Sequence, residues 1–299
     1  RNIVSPEQTK KLIAGLKVYS EVPLFVAVDL EGGLINRLRP RYGFAAFPSH
    51  QDLGKKDDLA ETEKVSSDIA KELADLGFNV DFAPVVDVNV NPKNPVIGSL
   101  GRSFSSDPAR VTAHALAFIR GHRAKGIITA IKHFPGHGSS KEDSHLGLVD
   151  ITETYQENEL VPYKEIIKQG MADMVLSAHV VNRKVDLDFP VTLSAKYIQP
   201  ILREQFGFNG AVVSDDLHMG AIVKHYGFKE AVVKAVQAGS DLLIVSNNGE
   251  TYNERSPYLA SQAIFEAVKG GQISEARIEE SYQRIAELKR RFGIIAQWP

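Results

Sequence analysis

The sequence of 299 residues contains no cysteine, one tryptophan and three methionines. Without cysteine the chain can form neither a disulfide nor a thiolate metal site, and it has no cysteine nucleophile. No apolar run approaches the roughly 18–20 residues that a membrane-spanning helix needs, so no membrane span is predicted. The opening segment, Arg1 to Glu7, shows no signal peptide.

The chain also lacks an excess of charge. Its 35 basic and 37 acidic residues give a formal net charge of −2, which offers no electrostatic reason to expect a nucleic acid or an anionic membrane as partner. No repeat, low-complexity tract or Pro/Gly/Ser-rich linker divides the sequence. We therefore expect one globular domain over residues 1–299, with a core supported by the apolar fraction of 43%.

Apolar strand-like runs alternate with segments of helical periodicity along the whole chain, which predicts an α/β fold with a parallel sheet. Six strands are predicted, at Leu24–Asp29, Val80–Val86, Ile127–Ile131, Met174–Ala178, Ala211–Ser214 and Leu242–Val245. Helices are predicted around Val65–Leu76, after the N-cap Asp107, and from Ser274 to Phe292 on the outside of the fold.

Polar residues follow nearly every predicted strand, and their positions favour a (β/α)8 barrel over an open doubly wound sheet. They are Asp29, Asp87, Lys132, His133, His179 and Asp215. In a barrel the carboxyl ends of all strands converge on one face, where the active site is built, whereas an open sheet focuses ligands on one crevice. No Gly-x-Gly-x-x-Gly or Walker sequence follows a strand, which removes the usual nucleotide-binding alternative.

Residues 131–148 carry the highest density of titratable side chains. Lys132 and His133 are predicted at the end of a buried strand, and the Pro/Gly-rich segment that follows cannot continue it. The next loop contains Asp143 and His145. An Asp two residues before a His can accept a hydrogen bond from the imidazole, which orients the ring and raises its basicity.

The same histidines allow a second interpretation, a zinc site formed by His133, His137, Asp143 and His145. Their spacing on a Pro/Gly-rich loop does not match a helical His-x-x-x-His pair, and Lys132 would bring a positive charge beside the ion. We therefore predict neither a metal site nor a cofactor.

Four segments together resemble the motifs of bacterial β-N-acetylglucosaminidases of glycoside hydrolase family 3. They are Val26–Gly33 with Arg37, Gly101–Phe104, Lys132–Gly138 with Asp143-Ser144-His145, and Val212–Leu217. The four occur in the order found in the family and extend over nearly the whole chain.

The resemblance implies a (β/α)8 barrel that removes terminal, non-reducing β-linked N-acetylglucosamine with retention of configuration. It implies that Asp215 is the nucleophile and that His145, oriented by Asp143, is the acid/base. Asp216 is then expected to be structural. The expected sugar-binding residues are Asp29, Arg37, Arg102, Lys132 and His133.

Other interpretations stay open beside the resemblance. From the residues alone, Asp215 and Asp216 could cap the next helix, and Lys132 could pair with a neighbouring carboxylate. His137 and His179 are candidate pocket residues, but a structural role is favoured for each. Within the family, a β-glucosidase, a β-xylosidase or an N-acetylglucosamine phosphorylase are alternatives. A non-catalytic sugar-binding protein would be expected to have lost Asp215 or the Asp143–His145 pair, and both are present.

The resemblance also bears on the start of the chain and on its partners. The opening residues resemble the family segment that directly follows the first barrel strand, so we expect that strand and any export signal to lie outside this sequence. A cytoplasmic location is favoured, with the periplasm or secretion as alternatives. The expected partner is a small glycan, either a peptidoglycan-derived muropeptide or a chitooligosaccharide, bound by a monomer.

Overall fold

The computed structural model describes residues 2–142, 147–246 and 252–296. The strands are β1 Ala27–Val28, β2 Leu30–Gly32, β3 Ile35–Asn36, β4 Val80–Asp81, β5 Ile128–Phe134, β6 Val149–Asp150, β7 Met174–Ser177, β8 Val180–Val181, β9 Ala211–Asp216 and β10 Leu242–Ile244. The helices are α1 Pro6–Val18, α2 His50–Lys56, α3 Leu59–Leu76, α4 Pro108–Arg123, α5 Val161–Lys168, α6 Gly220–Tyr226, α7 Phe228–Ala238, α8 Ser256–Lys269 and α9 Glu275–Arg291. None of these helices is both long and apolar enough to cross a membrane.

The six predicted strands form one parallel sheet with the order β1–β4–β5–β7–β9–β10. This order follows the chain, as in a barrel, and does not reverse as it does in a doubly wound sheet. Within the described residues, β1 and β10 are the two edges of the sheet. The short pairs β2–β3 and β6–β8 stand apart from it. The predicted α/β architecture of the barrel type is therefore confirmed.

The two faces of the sheet are buried in different ways, because neighbouring side chains on a strand point to opposite sides. Val175 and Val212 pack into a cluster with the apolar faces of α3, α4 and α5. Met174 and Ala211, one position earlier on the same strands, belong to a second cluster that includes Leu288 of α9. The predicted C-terminal helix is confirmed, but its last turns cover this second face and do not lie wholly on the outside.

The strand lengths differ from the prediction where proline intervenes. The second predicted strand stops at Asp81, and only a single bridge at Val85 pairs again with Lys132. Pro84, between these positions, has no backbone N–H for the ladder. In contrast, β5 continues to Phe134, so Lys132 and His133 lie inside the strand and not after it.

Candidate active site

The predicted sugar-binding residues meet at the carboxyl ends of the strands. Asp29 follows β1, Lys132 and His133 belong to the last half of β5, and Arg102 follows the short 3-10 helix Gly98–Leu100. Arg37 follows β3, and its Nε lies 3.8 Å from Asp29 Oδ2. The structure thus brings all five together at one end of the sheet.

Glu31 lies at the centre of this cluster. Its carboxylate receives two hydrogen bonds from the Arg102 guanidinium, at 2.8 Å from Nε and 2.7 Å from Nη2. Lys132 Nζ lies 2.6 Å from Glu31 Oε1 and 2.8 Å from Asp29 Oδ1. Burial alone would raise the pKa of Glu31, but the charges of Arg102 and Lys132 outweigh it and hold the pKa well below its usual range.

Lys132 pairs with two carboxylates, as the structural interpretation of this residue expected. The same contacts place it beside Asp29, another predicted sugar-binding residue. Only 2% of its side chain is exposed, against 32% for Asp29. Burial would lower the pKa of Lys132, but the carboxylates of Asp29 and Glu31 raise it. Lys132 is therefore a fixed cation that orients Asp29, the more exposed partner, toward the open end of the site.

His133 is held by partners on both ring nitrogens. Its Nδ1 lies 2.7 Å from Asp87 Oδ2, and its Nε2 lies 3.1 Å from Arg102 Nη2. A guanidinium has no acceptor, so Nε2 accepts from Arg102 and the proton sits on Nδ1, which donates to Asp87. The two contacts fix the orientation of the imidazole.

Asp87 organises the start of the loop that follows β5. Besides the imidazole, its carboxylate accepts the backbone N–H of His137 at 2.8 Å and that of His133 at 3.2 Å. Burial would raise its pKa, but the neighbouring His133 and the hydrogen bonds lower it. Since both ring nitrogens of His133 already have partners, this geometry does not fit the alternative interpretation of these histidines as a zinc site.

Two glycines shape the turn between β2 and β3. Gly32 has φ +86° and Gly33 has φ +58°, a region that favours glycine. A Cβ on Gly32 would lie 2.2 Å from the carbonyl oxygen of Pro48. The pair Gly32-Gly33 therefore allows the close backbone approach that turns the chain after Glu31.

Asp215 and Asp216 end β9 and have different surroundings. Asp216 Oδ1 accepts the backbone N–H groups of His218 and Ser246, each at 3.0 Å, and the Ser246 hydroxyl donates to Oδ2. The Asp216 carbonyl accepts a hydrogen bond from His179 Nε2 at 2.9 Å. These contacts agree with a structural role for Asp216 and His179, whereas the role of Asp215 stays a prediction.

The predicted acid/base pair, Asp143 and His145, lies outside the described residues. The loop before it is held by Asn94, whose Nδ2 donates to the His137 carbonyl at 2.6 Å and to the Ser140 hydroxyl at 2.8 Å. Sequence analysis missed Asn94 and did not include Glu31 among the sugar-binding residues. A partial signal for Glu31 was present, because it lies two positions after Asp29.

Comparison with known proteins agrees with the motifs. A model of the glycosyl hydrolase family 3 N-terminal domain matches residues 1–288. The chain is 35% identical over 291 residues to beta-hexosaminidase A of Pseudoalteromonas piscicida, covering 90% of this chain and 48% of that protein. It is 35% identical over 276 residues to beta-hexosaminidase LpqI of Mycobacterium tuberculosis, covering 90% of this chain and 68% of that protein.

Solved structures show the same likeness. A family 3 beta-N-acetylglucosaminidase from Paenibacillus sp. str. FPU-7 superposes with a TM-score of 0.91 at 37% identity, over 100% of this chain and 56% of that one. A beta-N-acetylhexosaminidase from Beutenbergia cavernae superposes with a TM-score of 0.87 at 29% identity, over 98% of this chain and 87% of that one. The chain thus spans about half the length of the first of these curated relatives and of the first of these structures.

Proposed function

The chain belongs to glycosyl hydrolase family 3, and from this membership and the geometry of the site we propose that it is the barrel domain of a retaining exo-β-N-acetylglucosaminidase. The substrate is a glycan with a terminal, non-reducing β-linked N-acetylglucosamine, as in a muropeptide or a chitooligosaccharide. Relatives at 35% identity are named beta-hexosaminidase, which supports this sugar over glucose or xylose.

The observation that carries the proposal is the chain of ion pairs from Arg102 through Glu31 and Lys132 to Asp29. The first three are almost fully buried, and Asp29 presents its carboxylate at the exposed end. A carboxylate fixed in this way can accept hydrogen bonds from two adjacent sugar hydroxyls, and Arg37 beside it can donate. Such a site suits a neutral, polyhydroxylated ligand better than a phosphate or a nucleic acid.

The mechanism needs a nucleophile and an acid/base group, as in other retaining glycosidases. Asp215 attacks the anomeric carbon, and the bond from that carbon to the leaving oxygen breaks as His145 gives the oxygen its proton. His145 then removes a proton from water, which attacks the glycosyl-enzyme, and the Asp215 carboxylate is released. Asp143 orients the imidazole in both steps. No metal or organic cofactor takes part.

A panel of 4-nitrophenyl glycosides tests the sugar specificity. The β-N-acetylglucosaminide should be hydrolysed far faster than the β-glucoside or β-xyloside, and EDTA should not change the rate. Added inorganic phosphate should leave the product as free N-acetylglucosamine. Formation of the 1-phosphate would instead identify a phosphorylase, and preference for glucose would overturn the assignment of the sugar.

Replacement of the nucleophile tests the covalent route. Asp215→Asn should lower kcat by several orders of magnitude while circular dichroism stays unchanged, because the glycosyl-enzyme can no longer form. A fluorinated N-acetylglucosamine-type inactivator should label Asp215 in peptide mapping. Labelling of Asp216 or Asp29 would refute the assignment.

The same proposal includes a single catalytic domain over residues 1–299, a monomeric state and a cytoplasmic location. Size-exclusion chromatography and cell fractionation test the last two.

A further inference from the structure

The loop between β5 and the predicted acid/base pair rests on a buried carboxylate from a later part of the chain. Glu159 lies in the 3-10 helix Glu157–Leu160 and is fully buried. Its Oε2 accepts the backbone N–H of Ser139 at 3.2 Å, and its Oε1 accepts that of Gln156 at 3.2 Å. One carboxylate therefore ties the loop to the segment that begins α5.

Packing reinforces this connection. Gly136 has φ +132°, and a Cβ built on it would lie 2.6 Å from the Glu159 Cβ and 3.0 Å from its Oε2. The loop backbone thus lies directly against the Glu159 side chain. Asn94 holds the neighbouring carbonyl of His137 and the hydroxyl of Ser140. The segment from Gly136 to Ser140 is held by both residues.

The electrostatic environment of Glu159 is unfavourable for a residue with only a packing role. Among the described residues it has no ion-pair partner, and burial together with the charge of Asp87 raises its pKa to about 7. The charge of Glu159 in turn helps to raise the pKa values of Tyr155 and Tyr163. Burying an ionisable group without a counterion costs stability, and such groups are concentrated at functional sites.

We propose that Glu159 is a positioning residue of the acid/base step, because its carboxylate fixes the loop backbone at Gly136 and Ser139, in the segment that precedes Asp143 and His145 in the sequence. The inference rests on the proposed function. It predicts that Glu159 affects proton transfer to the leaving oxygen and leaves the predicted sugar-binding residues Asp29 and Lys132 undisturbed.

The test compares Glu159→Gln with Glu157→Gln, which changes an exposed carboxylate in the same short helix. Glutamine keeps the volume of Glu159, but its amide nitrogen cannot accept, so one of the two backbone N–H groups loses its acceptor. Rates are measured with 2,4-dinitrophenyl and phenyl β-N-acetylglucosaminides, whose leaving groups need little and much protonic help. They are normalised to the fraction of molecules that the fluorinated inactivator labels.

For Glu159→Gln we expect kcat/KM to fall at least tenfold more with the phenyl than with the dinitrophenyl substrate. The Kd for N-acetylglucosamine should stay within twofold of the wild-type value. Azide should partly restore turnover of the dinitrophenyl substrate, as it should in His145→Ala. Glu159→Asp, which keeps the carboxylate but shortens its reach, should show a smaller effect. Glu157→Gln should match the wild type.

Equal losses with both substrates, or a Kd for N-acetylglucosamine that rises with the loss of activity, would show a general structural role and overturn the inference. Wild-type behaviour of Glu159→Gln would also overturn the inference if His145→Ala shows the leaving-group dependence. A wild-type protein without glycosidase activity, or a His145→Ala variant without that dependence, would instead remove the proposed function, and the inference with it.

Discussion

At the scale of single residues, Glu31 is a buried carboxylate on which two cations converge. It is 1% exposed and contacts two buried cations, the Arg102 guanidinium and the Lys132 ammonium. A buried ion pair is not in itself a source of stability, but removal of one partner leaves an uncompensated buried charge. Glu31 therefore matters both for folding and for the orientation of the two cations.

Glu31→Gln should lower the free energy of unfolding by about 3–5 kcal/mol, because two buried cations would lose the carboxylate between them. We expect kcat/KM to fall at least tenfold, since Arg102 loses its bidentate partner. Urea unfolding and steady-state kinetics measure the two effects.

Glu153→Gln is the matched control for Glu31→Gln. Its carboxylate is 82% exposed and lies 3.3 Å from Lys184 Nζ, and surface pairs of this kind contribute about 0–1 kcal/mol. If Glu31→Gln were as mild as this control, the central role of Glu31 would be wrong.

At the scale of elements, the sequence predicted where strands begin better than where they end. The apolar runs before β5 and β9 identify both strands, but the polar residues that end each run still belong to the ladder. In the sequence, the polar residues Lys132 and Asp215 mark the end of an apolar run, so the predicted strand stops before them. The strand continues because its backbone bonds are set by the neighbouring strands, which the local pattern does not contain.

The packing of α2 against α4 contains a feature that periodicity did not reveal, a column of alternating imidazole and phenyl rings. His50 of α2 lies between Phe104 and Phe118, with ring centroids 4.2 and 5.3 Å away. Phe104 in turn stacks on His114, and Phe118 on His122. Both nitrogens of His50 are buried with no hydrogen-bond partner in the described part of the chain.

The environment of His50 predicts a specific sensitivity to acid. Burial lowers its pKa to about 3, although the charge of Glu31 opposes the shift. The unfolded chain therefore binds a proton between about pH 6.5 and pH 3 that the folded chain does not, so stability is lost as the pH falls through this window. At pH 5 this loss amounts to about 2 kcal/mol relative to pH 8.

His50→Phe should reduce the difference in unfolding free energy between pH 8 and pH 5 by about 2 kcal/mol, because phenylalanine binds no proton. The larger ring costs packing energy at both pH values, so only the difference is diagnostic. Urea unfolding at the two pH values measures it. An unchanged pH difference would mean that the imidazole is already protonated or reaches solvent.

At the scale of the whole molecule, the two ends of the sheet carry charge for different purposes. At the amino ends, Asp173 precedes β7 and Asp241 precedes β10, and both carboxylates are fully buried. Asp173 contacts Arg123 and Arg291. In barrel folds the carboxyl ends hold the reacting groups and the opposite ends serve stability, and these clusters fit the second role.

The sequence predicted the architecture and the candidate residues, but not the side chains that these residues contact. The parallel α/β architecture was predictable from periodicity, the barrel type from the polar residues that follow the strands, and the candidate sugar-binding residues from the resemblance of the motifs. The partners were not, because Glu31 and Arg102, or Asp241 and Arg203, are far apart in the sequence and meet only through the tertiary fold. Asp143 and His145 lie outside the described residues, and their roles stay predictions.

The separation of roles between the two ends can be tested at Asp241. Its carboxylate accepts hydrogen bonds from Arg203 at 2.8 Å, Arg284 at 3.1 Å and Arg277 at 3.2 Å, and from the backbone N–H of Val212 at 2.9 Å. Asp241→Asn leaves three guanidinium groups without their anion. We expect the free energy of unfolding to fall by about 3–5 kcal/mol.

For the same Asp241→Asn variant, kcat/KM at 25 °C should stay within about twofold of the wild type, with unchanged leaving-group dependence, because the site lies at the opposite ends of the strands. The matched control is Asp68→Asn, an exposed carboxylate 2.9 Å from Lys64 Nζ, which should change stability by less than about 1 kcal/mol. Lower stability with unchanged kcat/KM distinguishes Asp241 from Glu31, because replacement of Glu31 should lower both the free energy of unfolding and kcat/KM. A tenfold loss of kcat/KM in correctly folded Asp241→Asn would show that the amino ends of the strands also control the site.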